Sequence, residues 1–276
     1  MRFTDKLAGA ERRNDSLLCV GLDPDPARFP APWTGDERRI FDFCAAIVDA
    51  TKDSVLAFKP QIAYFAAHRA ETQLERLMAH IARVAPDVPV ILDAKRGDIG
   101  ATAEQYAREA FERYRADALT VSPLMGFDSI EPYLRHPDKG LLLLCRTSNP
   151  GGDDLQAQAL ASGKRLFEHI AELAQGPWNR TGQVGLVVGA TYPEELARVR
   201  SLAPTVPLLV PGYGAQGGDA AATVKAGWRR EGDRTVGPIM VSSSRGILYA
   251  GGDADFANAA HRAAEHARLE LGAARR

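Results

Sequence analysis

Eight short apolar runs, separated by segments of helical period, constrain this 276-residue chain more than any other feature. They are Leu17–Asp23, Val55–Gln61, Val88–Lys95, Ala118–Ser122, Leu141–Thr147, Val184–Ala190, Pro207–Pro211 and Ile239–Ser242. Most are continuously apolar rather than alternating, the pattern of parallel strands buried on both faces. The intervening segments carry apolar stripes at helical spacing, such as Leu74, Leu77, Met78 and Ile81. Strict alternation of strand and helix demands right-handed crossovers and a parallel sheet. Eight such units favour closure, so the predicted fold class is α/β, a (β/α)8 TIM barrel forming one domain over residues 1–276. An open doubly wound sheet is the alternative that the pattern leaves standing. Thr191-x-x-Glu194 further predicts a capping box at the start of the helix after the sixth strand.

Composition narrows the function classes. A net charge of −1 gives no electrostatic footprint for nucleic acid or an anionic membrane surface. No apolar run approaches the ~18 residues that span a bilayer, and the amino-terminal Met-Arg-Phe-Thr-Asp-Lys-Leu has no secretory apolar stretch. Cys19, Cys44 and Cys145 lack CxxC spacing, and the six histidines form neither HxH nor HExxH. Reduced core thiols, a cytoplasmic location and no metal site are therefore expected. Two segments depart from the strand–helix rhythm. Pro24, Pro26, Pro30 and Pro32 stiffen a long loop after the first strand, and 149–163 is a Gly-rich polar insertion after the fifth. Both fall on the C-terminal face, where barrels place their active sites, and simple loop decoration explains them equally well.

The stretch Val-Ile-Leu-Asp-Ala-Lys-Arg-Gly-Asp-Ile, residues 90–99, concentrates the chemistry. Asp93 and Lys95 lie two apart on a strand and share a face. Asp98 follows just past the strand end, and Lys59 closes the neighbouring apolar run. Parallel strands lie only about 4.8 Å apart, so Lys59, Asp93, Lys95 and Asp98 are expected to converge. Solvated strand ends forming ordinary ion pairs are the structural alternative. Burying charge is costly unless it is paired, however, and such concentrations usually serve chemistry.

At the other end of the chain, Gly212-Tyr-Gly-Ala-Gln-Gly217 follows the seventh strand and formally matches GxGxxG. It stands on the wrong strand for a dinucleotide fingerprint. With Ser242-Ser-Ser-Arg245-Gly246 after the eighth strand, it suits a phosphate grip instead. Glycines let backbone N–H groups approach an anion, and an arginine pairs with phosphate bidentately. A tight turn and a surface ion pair would account for the same residues. Ser148, in Arg146-Thr-Ser-Asn-Pro-Gly151, reads alone as a serine at a strand end, suited equally to a turn or a cap.

Asp-Ala-Lys-Arg-Gly-Asp-Ile resembles the Asp-x-Lys-x-x-Asp signature of the orotidine 5′-phosphate decarboxylases, and Phe58-Lys59-Pro60 resembles that family's second-strand lysine motif. The likeness runs from Gly21-Leu22-Asp23-Pro24 to Ser244-Arg245-Gly246-Ile247, nearly the whole chain. The 150–163 insertion and the polar 229–237 loop lie outside the family's minimal core. The resemblance implies a cofactor-free carboxy-lyase that converts orotidine 5′-monophosphate to UMP. Lys95 would protonate C6, Asp93 would face the substrate carboxylate, and Lys59 would bind ribose and orient Asp93. Asp23 would hold a ribose hydroxyl, Ser148 the pyrimidine, and Gln216 and Arg245 the phosphate, with 212–218 as a closing lid. Asp98 and Thr102 would reach into a partner's site, making a homodimer with shared active sites.

Three rivals follow from the same residues. Magnesium-dependent phosphosugar decarboxylases share Asp-x-Lys-x-x-Asp but carry an acid near the position of Lys59. A Schiff-base aldolase would use Lys95 as a neutral amine. A non-catalytic nucleotide-binding barrel would keep the pocket without turnover.

Overall fold

The structure, a computed structural model, describes residues 1–214 and 217–275. Its strands are β1 (Leu18–Leu22), β2 (Ala57–Pro60), β3 (Ile91–Arg96), β4 (Ala118–Val121), β5 (Gly140–Arg146), β6 (Val184–Val188), β7 (Leu208–Pro211), β8 (Arg229–Glu231), β9 (Arg234–Gly237) and β10 (Ile239–Ser243). Eight of them form one parallel sheet in the order β2-β1-β10-β7-β6-β5-β4-β3. The two outer strands then meet each other. Phe58 bridges Val90, Gln61 bridges Asp93, and the Phe58 amide donates to the Pro89 carbonyl at 3.0 Å. That closure makes the sheet a barrel and removes the open-sheet alternative.

All eight apolar runs are strands, shorter by one to three residues at most ends than their apolar stretch. The apolar stretch outruns the ladder because flanking residues such as Val55 and Leu56 are buried without being counted in the strand.

Two apolar layers hold the barrel. Helices pack against its outside in the larger core, which includes Val20, Phe58, Leu92, Leu119 and Leu143. Inside, Cys19, Ala57, Ile91, Ala118, Leu142, Val187, Leu209 and Met240, one from each of the eight barrel strands, cluster with Phe3, Leu7 and Ala10. The amino-terminal helix Phe3–Asn14 thus plugs the N-terminal mouth. Burying Phe3 and Leu7 there stabilises the fold by about 2 kcal/mol each. Gly140 faces the Phe3 ring so closely that an added Cβ would lie 2.3 Å from it. The interior is therefore apolar at one end, and its buried polar groups, including Lys59, Asp93, Thr120 and Ser242, lie toward the other.

The two insertions go to opposite mouths. The 229–237 segment is an antiparallel hairpin of β8 and β9 that leads directly into β10, on the N-terminal side. Glu11 on the plug helix anchors it, accepting from Thr235 Oγ1 at 2.9 Å and Trp228 Nε1 at 3.3 Å. Nearby, buried Arg200 donates to the carbonyls of Gly227, Ala203, Pro204, Val206 and Pro238, tying the approaches to β7 and β10 together. The 150–163 insertion follows β5 on the C-terminal side and opens with a 3-10 turn, Pro150–Asp154.

The expected capping box does not form. The helix after β6 runs Pro193–Leu202 and starts on proline, which is preset for a first helical turn and has no amide to satisfy. The Thr191 hydroxyl instead donates to the Ser148 carbonyl at 3.4 Å, and Glu195 rather than Glu194 makes the local ion pairs.

Candidate active site

The sequence-predicted residues stand at the carboxyl ends of strands in order around the barrel. β7 and β10 lead to the glycine loop and Arg245, β1 to Asp23, β2 to Lys59, β3 to Asp93 and Lys95, and β5 to Ser148. Register sets the centre: Gly21 of β1 pairs with Lys59, and Gln61 bridges Asp93.

Asp93 is the hub. Its Oδ2 accepts from Lys59 Nζ at 3.0 Å and Gln61 Nε2 at 3.1 Å. Its Oδ1 accepts from Lys95 Nζ at 2.7 Å and Thr120 Oγ1 at 2.8 Å. Four donors fill the acceptor sites of one carboxylate. Lys59 and Asp93 are 6% and 7% exposed, while the Lys95 side chain is 48% exposed and reaches into the open mouth.

The electrostatics follow from that packing. Burial disfavours the Asp93 anion, but the charges of Lys59 and then Lys95 outweigh it, helped by the Lys95 and Thr120 hydrogen bonds. The Asp93 pKa ends well below the usual carboxylate range. Burial likewise works against the Lys59 ammonium, yet the charges of Asp93 and then Asp23 raise its pKa above the ordinary lysine value. Both groups are held ionised across the neutral range.

A bulge aims Lys95. β3 advances from Leu92 to Arg96 while β4 advances only from Leu119 to Val121. Within this stretch Lys95 sits at φ +46°, a left-handed conformation unusual for a side-chain-bearing residue. The Thr120 hydroxyl holds the bulge, accepting from the amides of Ala94 at 3.1 Å and Lys95 at 3.0 Å while donating to Asp93. Such strain persists only where surrounding contacts over-determine it.

Three of the four expected charges therefore converge. Asp98 does not join them: it lies beyond β3 at φ +138°, and its carboxylate accepts from the Ile99 amide at 2.8 Å. Gly97 and Asp98 lie between β3 and the helix Gly100–Arg108, which holds the exposed Thr102 in its first turn.

The ring continues on both sides. Asp23 follows β1, and its Oδ1 is buried with no partner among the described residues. Ser148 lies just past β5, backed by Gly189, where an added Cβ would meet the Ser148 amide nitrogen at 2.9 Å. Arg146, 2% exposed, clamps this corner: it pairs with Glu195, donates to Asp153 of the insertion at 2.5 Å, and covers the Tyr192 ring at 4.5 Å. Gly212, Gly214 and Gly217 all take positive φ, so the loop after β7 has the backbone freedom an anion cradle needs. Arg245 opens the short helix after β10, is exposed, and has no carboxylate partner among the described residues. Gln216 lies outside the described residues.

Gln61 and Thr120 are site residues that sequence reasoning missed. Thr120 is the one polar residue of the Ala118–Val121 strand, two places from inward-facing Ala118. Gln61 stands two past Lys59. Each shares a face with a residue already assigned inward, and that spacing was the available signal.

A closed α/β barrel with a saturated lysine–aspartate–lysine array at its C-terminal mouth has the architecture of a barrel enzyme, with its charged groups where such enzymes place their active sites. The chain belongs to the orotidine 5′-phosphate decarboxylase / HUMPS family, whose model matches residues 16–260. A protein of Methylibium petroleiphilum named orotidine 5′-phosphate decarboxylase is 74% identical over 100% of both chains. One of the same name from Leptothrix cholodnii is 70% identical over 99% of this chain and 98% of its own. The solved Leishmania donovani OMP decarboxylase is 40% identical with a TM-score of 0.85, covering 100% of this chain and 99% of that one.

Proposed function

We propose that this chain converts orotidine 5′-monophosphate to UMP and carbon dioxide, with Lys95 delivering the proton to C6. The observation that carries the assignment is the Lys59–Asp93–Lys95 array, joined by bonds of 3.0 and 2.7 Å, with the more exposed lysine facing the mouth. Loss of carbon dioxide leaves electron density on a ring carbon that the pyrimidine delocalises poorly. A fixed ammonium beside that carbon stabilises the developing charge and then supplies the proton. Asp93, held anionic, would face the departing carboxylate, and Lys59 would orient Asp93 and meet the ribose.

The remaining assignments follow around the ring. Asp23 Oδ1, buried with no partner among the described residues, suits a ribose hydroxyl, and Ser148 suits the pyrimidine. Arg245, with no carboxylate partner among the described residues, suits the phosphate together with the glycine loop and Gln216. Closure of that loop over the phosphate would assist the distant chemistry by orienting the ring. Residues 1–276 act as one barrel domain, needing no metal or organic cofactor. Lysines on both sides of Asp93 repel a divalent cation, which disfavours the magnesium-dependent phosphosugar reaction within the same family. The cysteines are free and buried, in keeping with a reducing cytoplasm. No helix of the described residues is long and apolar enough to cross a membrane.

The active unit in this proposal is a homodimer. Ile99, Leu124, Met125 and Phe127, on the segments after β3 and β4, are 49%, 67%, 52% and 38% exposed. Ile99 follows Asp98 directly, the turn at Phe127 packs on the helix that carries Thr102, and a second copy covering this apolar surface would bring Asp98 and Thr102 to its own site.

Loss of orotidine monophosphate absorbance in chelator-containing buffer tests the reaction. Turnover without added metal is expected; strict magnesium dependence, or no turnover by folded protein, overturns the assignment. Mixing inactive Lys95→Ala and Asp98→Ala chains tests the dimer. Heterodimers should regain activity, and no recovery after confirmed subunit exchange contradicts shared sites.

A further inference from the structure

Tyr249 touches two parts of the site at once. It follows immediately on the short helix Arg245–Leu248, and so belongs to the same turn of chain as Arg245. Its hydroxyl accepts from the Asp25 amide at 2.7 Å and donates to the Asp23 carbonyl at 3.0 Å. One oxygen therefore grips the loop after β1 on both sides of Pro24. The ring is itself fixed, with the Arg28 guanidinium 4.0 Å from its centroid and Phe43 stacked at 5.8 Å. Burial raises the phenol pKa, so the hydroxyl keeps its proton for the Asp23 carbonyl.

The Asp23 side chain needs such a support. Its Oδ1 is buried with no partner among the described residues, so backbone placement is what aims that oxygen. Tyr249 supplies the placement from the helix that carries Arg245.

We propose that Tyr249 is a positioning residue that couples the phosphate end of the site to the ribose end. An anion drawn to Arg245 settles the Arg245–Leu248 turn, and the two hydrogen bonds of Tyr249 pass that position to Asp23. The proposal rests on the assignment of Arg245 to phosphate and Asp23 to a ribose hydroxyl. Neither hydrogen bond involves the reacting atoms, so the effect is read in binding and in coupling.

A double-mutant cycle tests it, with UMP as the probe and titration calorimetry on the full chain. Asp23→Ala and Arg245→Ala should each weaken UMP binding, and their combined effect should depart from the product of the single effects by about tenfold. Tyr249→Phe keeps the ring and removes only the hydroxyl. In that background the departure should fall to within about twofold, with the near-ultraviolet dichroism retained. A merely structural tyrosine would lower affinity uniformly and leave the coupling intact. Undiminished coupling in Tyr249→Phe, or no coupling in the parent protein, overturns the proposal. If neither Asp23→Ala nor Arg245→Ala alters UMP binding, the assignment of the site itself is wrong and the tie falls with it.

Discussion

Replacing Thr120 by valine removes one buried oxygen and almost no volume. That hydroxyl makes three bonds: to Asp93 Oδ1 at 2.8 Å and from the amides of Ala94 and Lys95 at 3.1 and 3.0 Å. A hydrogen bond to a charged group is worth roughly 1.5–3 kcal/mol, and an amide stranded in the interior costs roughly 1–3 kcal/mol. Asp93 keeps three other donors, and the two amides are only partly buried, so the sum is discounted to about 3 kcal/mol of stability. Activity should suffer separately. Without its acceptor the bulge relaxes, Lys95 leaves φ +46°, and a displacement of about 1 Å at the acid costs on the order of a hundredfold in kcat. Urea unfolding and steady-state rates on the same preparations measure both effects. Thr120→Ser, which keeps the hydroxyl and loses a methyl, should cost only about 1 kcal/mol and keep most of the rate. If Thr120→Val stays within about 0.5 kcal/mol and twofold of the parent, the hydroxyl does not hold the bulge and the account of Lys95 positioning is wrong.

Other substitutions probe different parts of the account. Lys59→Gln removes the main charge that holds Asp93 ionised against burial. A carboxylate with a depressed folded pKa stabilises the protein above its unfolded value near 4 and loses that contribution as pH falls through the folded value. The acid-unfolding midpoint of Lys59→Gln, followed by circular dichroism, should therefore move to higher pH; coincident midpoints would contradict the ion-pair argument. Arg146→Met should lower stability by about 2 kcal/mol, less than a fully buried pair, because Asp153 is largely exposed and Glu195 keeps Arg165. Its KM should rise as the Ser148 corner loosens, and an unchanged KM would show that the clamp does not serve the site. Arg200→Met strands five carbonyls on the N-terminal side, so a lower melting temperature with unaltered kcat is expected. A fall in kcat with no change in melting would reverse that division of labour.

The barrel was legible because its parallel strands are buried on both faces and leave uninterrupted apolar runs. The plug helix Phe3–Asn14 left no comparable mark: its buried face is only Phe3, Leu7, Ala10 and Glu11 within a largely polar segment. The β8–β9 hairpin was equally hidden, since its strands carry Arg229, Arg230, Glu231 and Arg234 and are held by Glu11, a contact 224 residues away for Thr235. At the site, two-residue spacing placed Asp93 and Lys95 on one face, and the lysine at the end of β2 fell beside them. The same spacing argument, extended to every strand, would have found Gln61 and Thr120. The bulge was beyond it, because a left-handed Lys95 depends on an acceptor from the next strand rather than on neighbours in the chain. Asp98, spaced to join the cluster, instead accepts a local bond from the Ile99 amide once the strand has ended.

The proposed mechanism stands on Lys95 as the acid. Its most direct test is the first-order loss of orotidine monophosphate in chelator-containing buffer for the parent protein and Lys95→Ala side by side. The parent should turn over without metal, and the variant should lose a thousandfold or more in rate, on the order of a full general-acid contribution. A Lys95→Ala rate within about tenfold of the parent would place the proton donor elsewhere and contradict the mechanism.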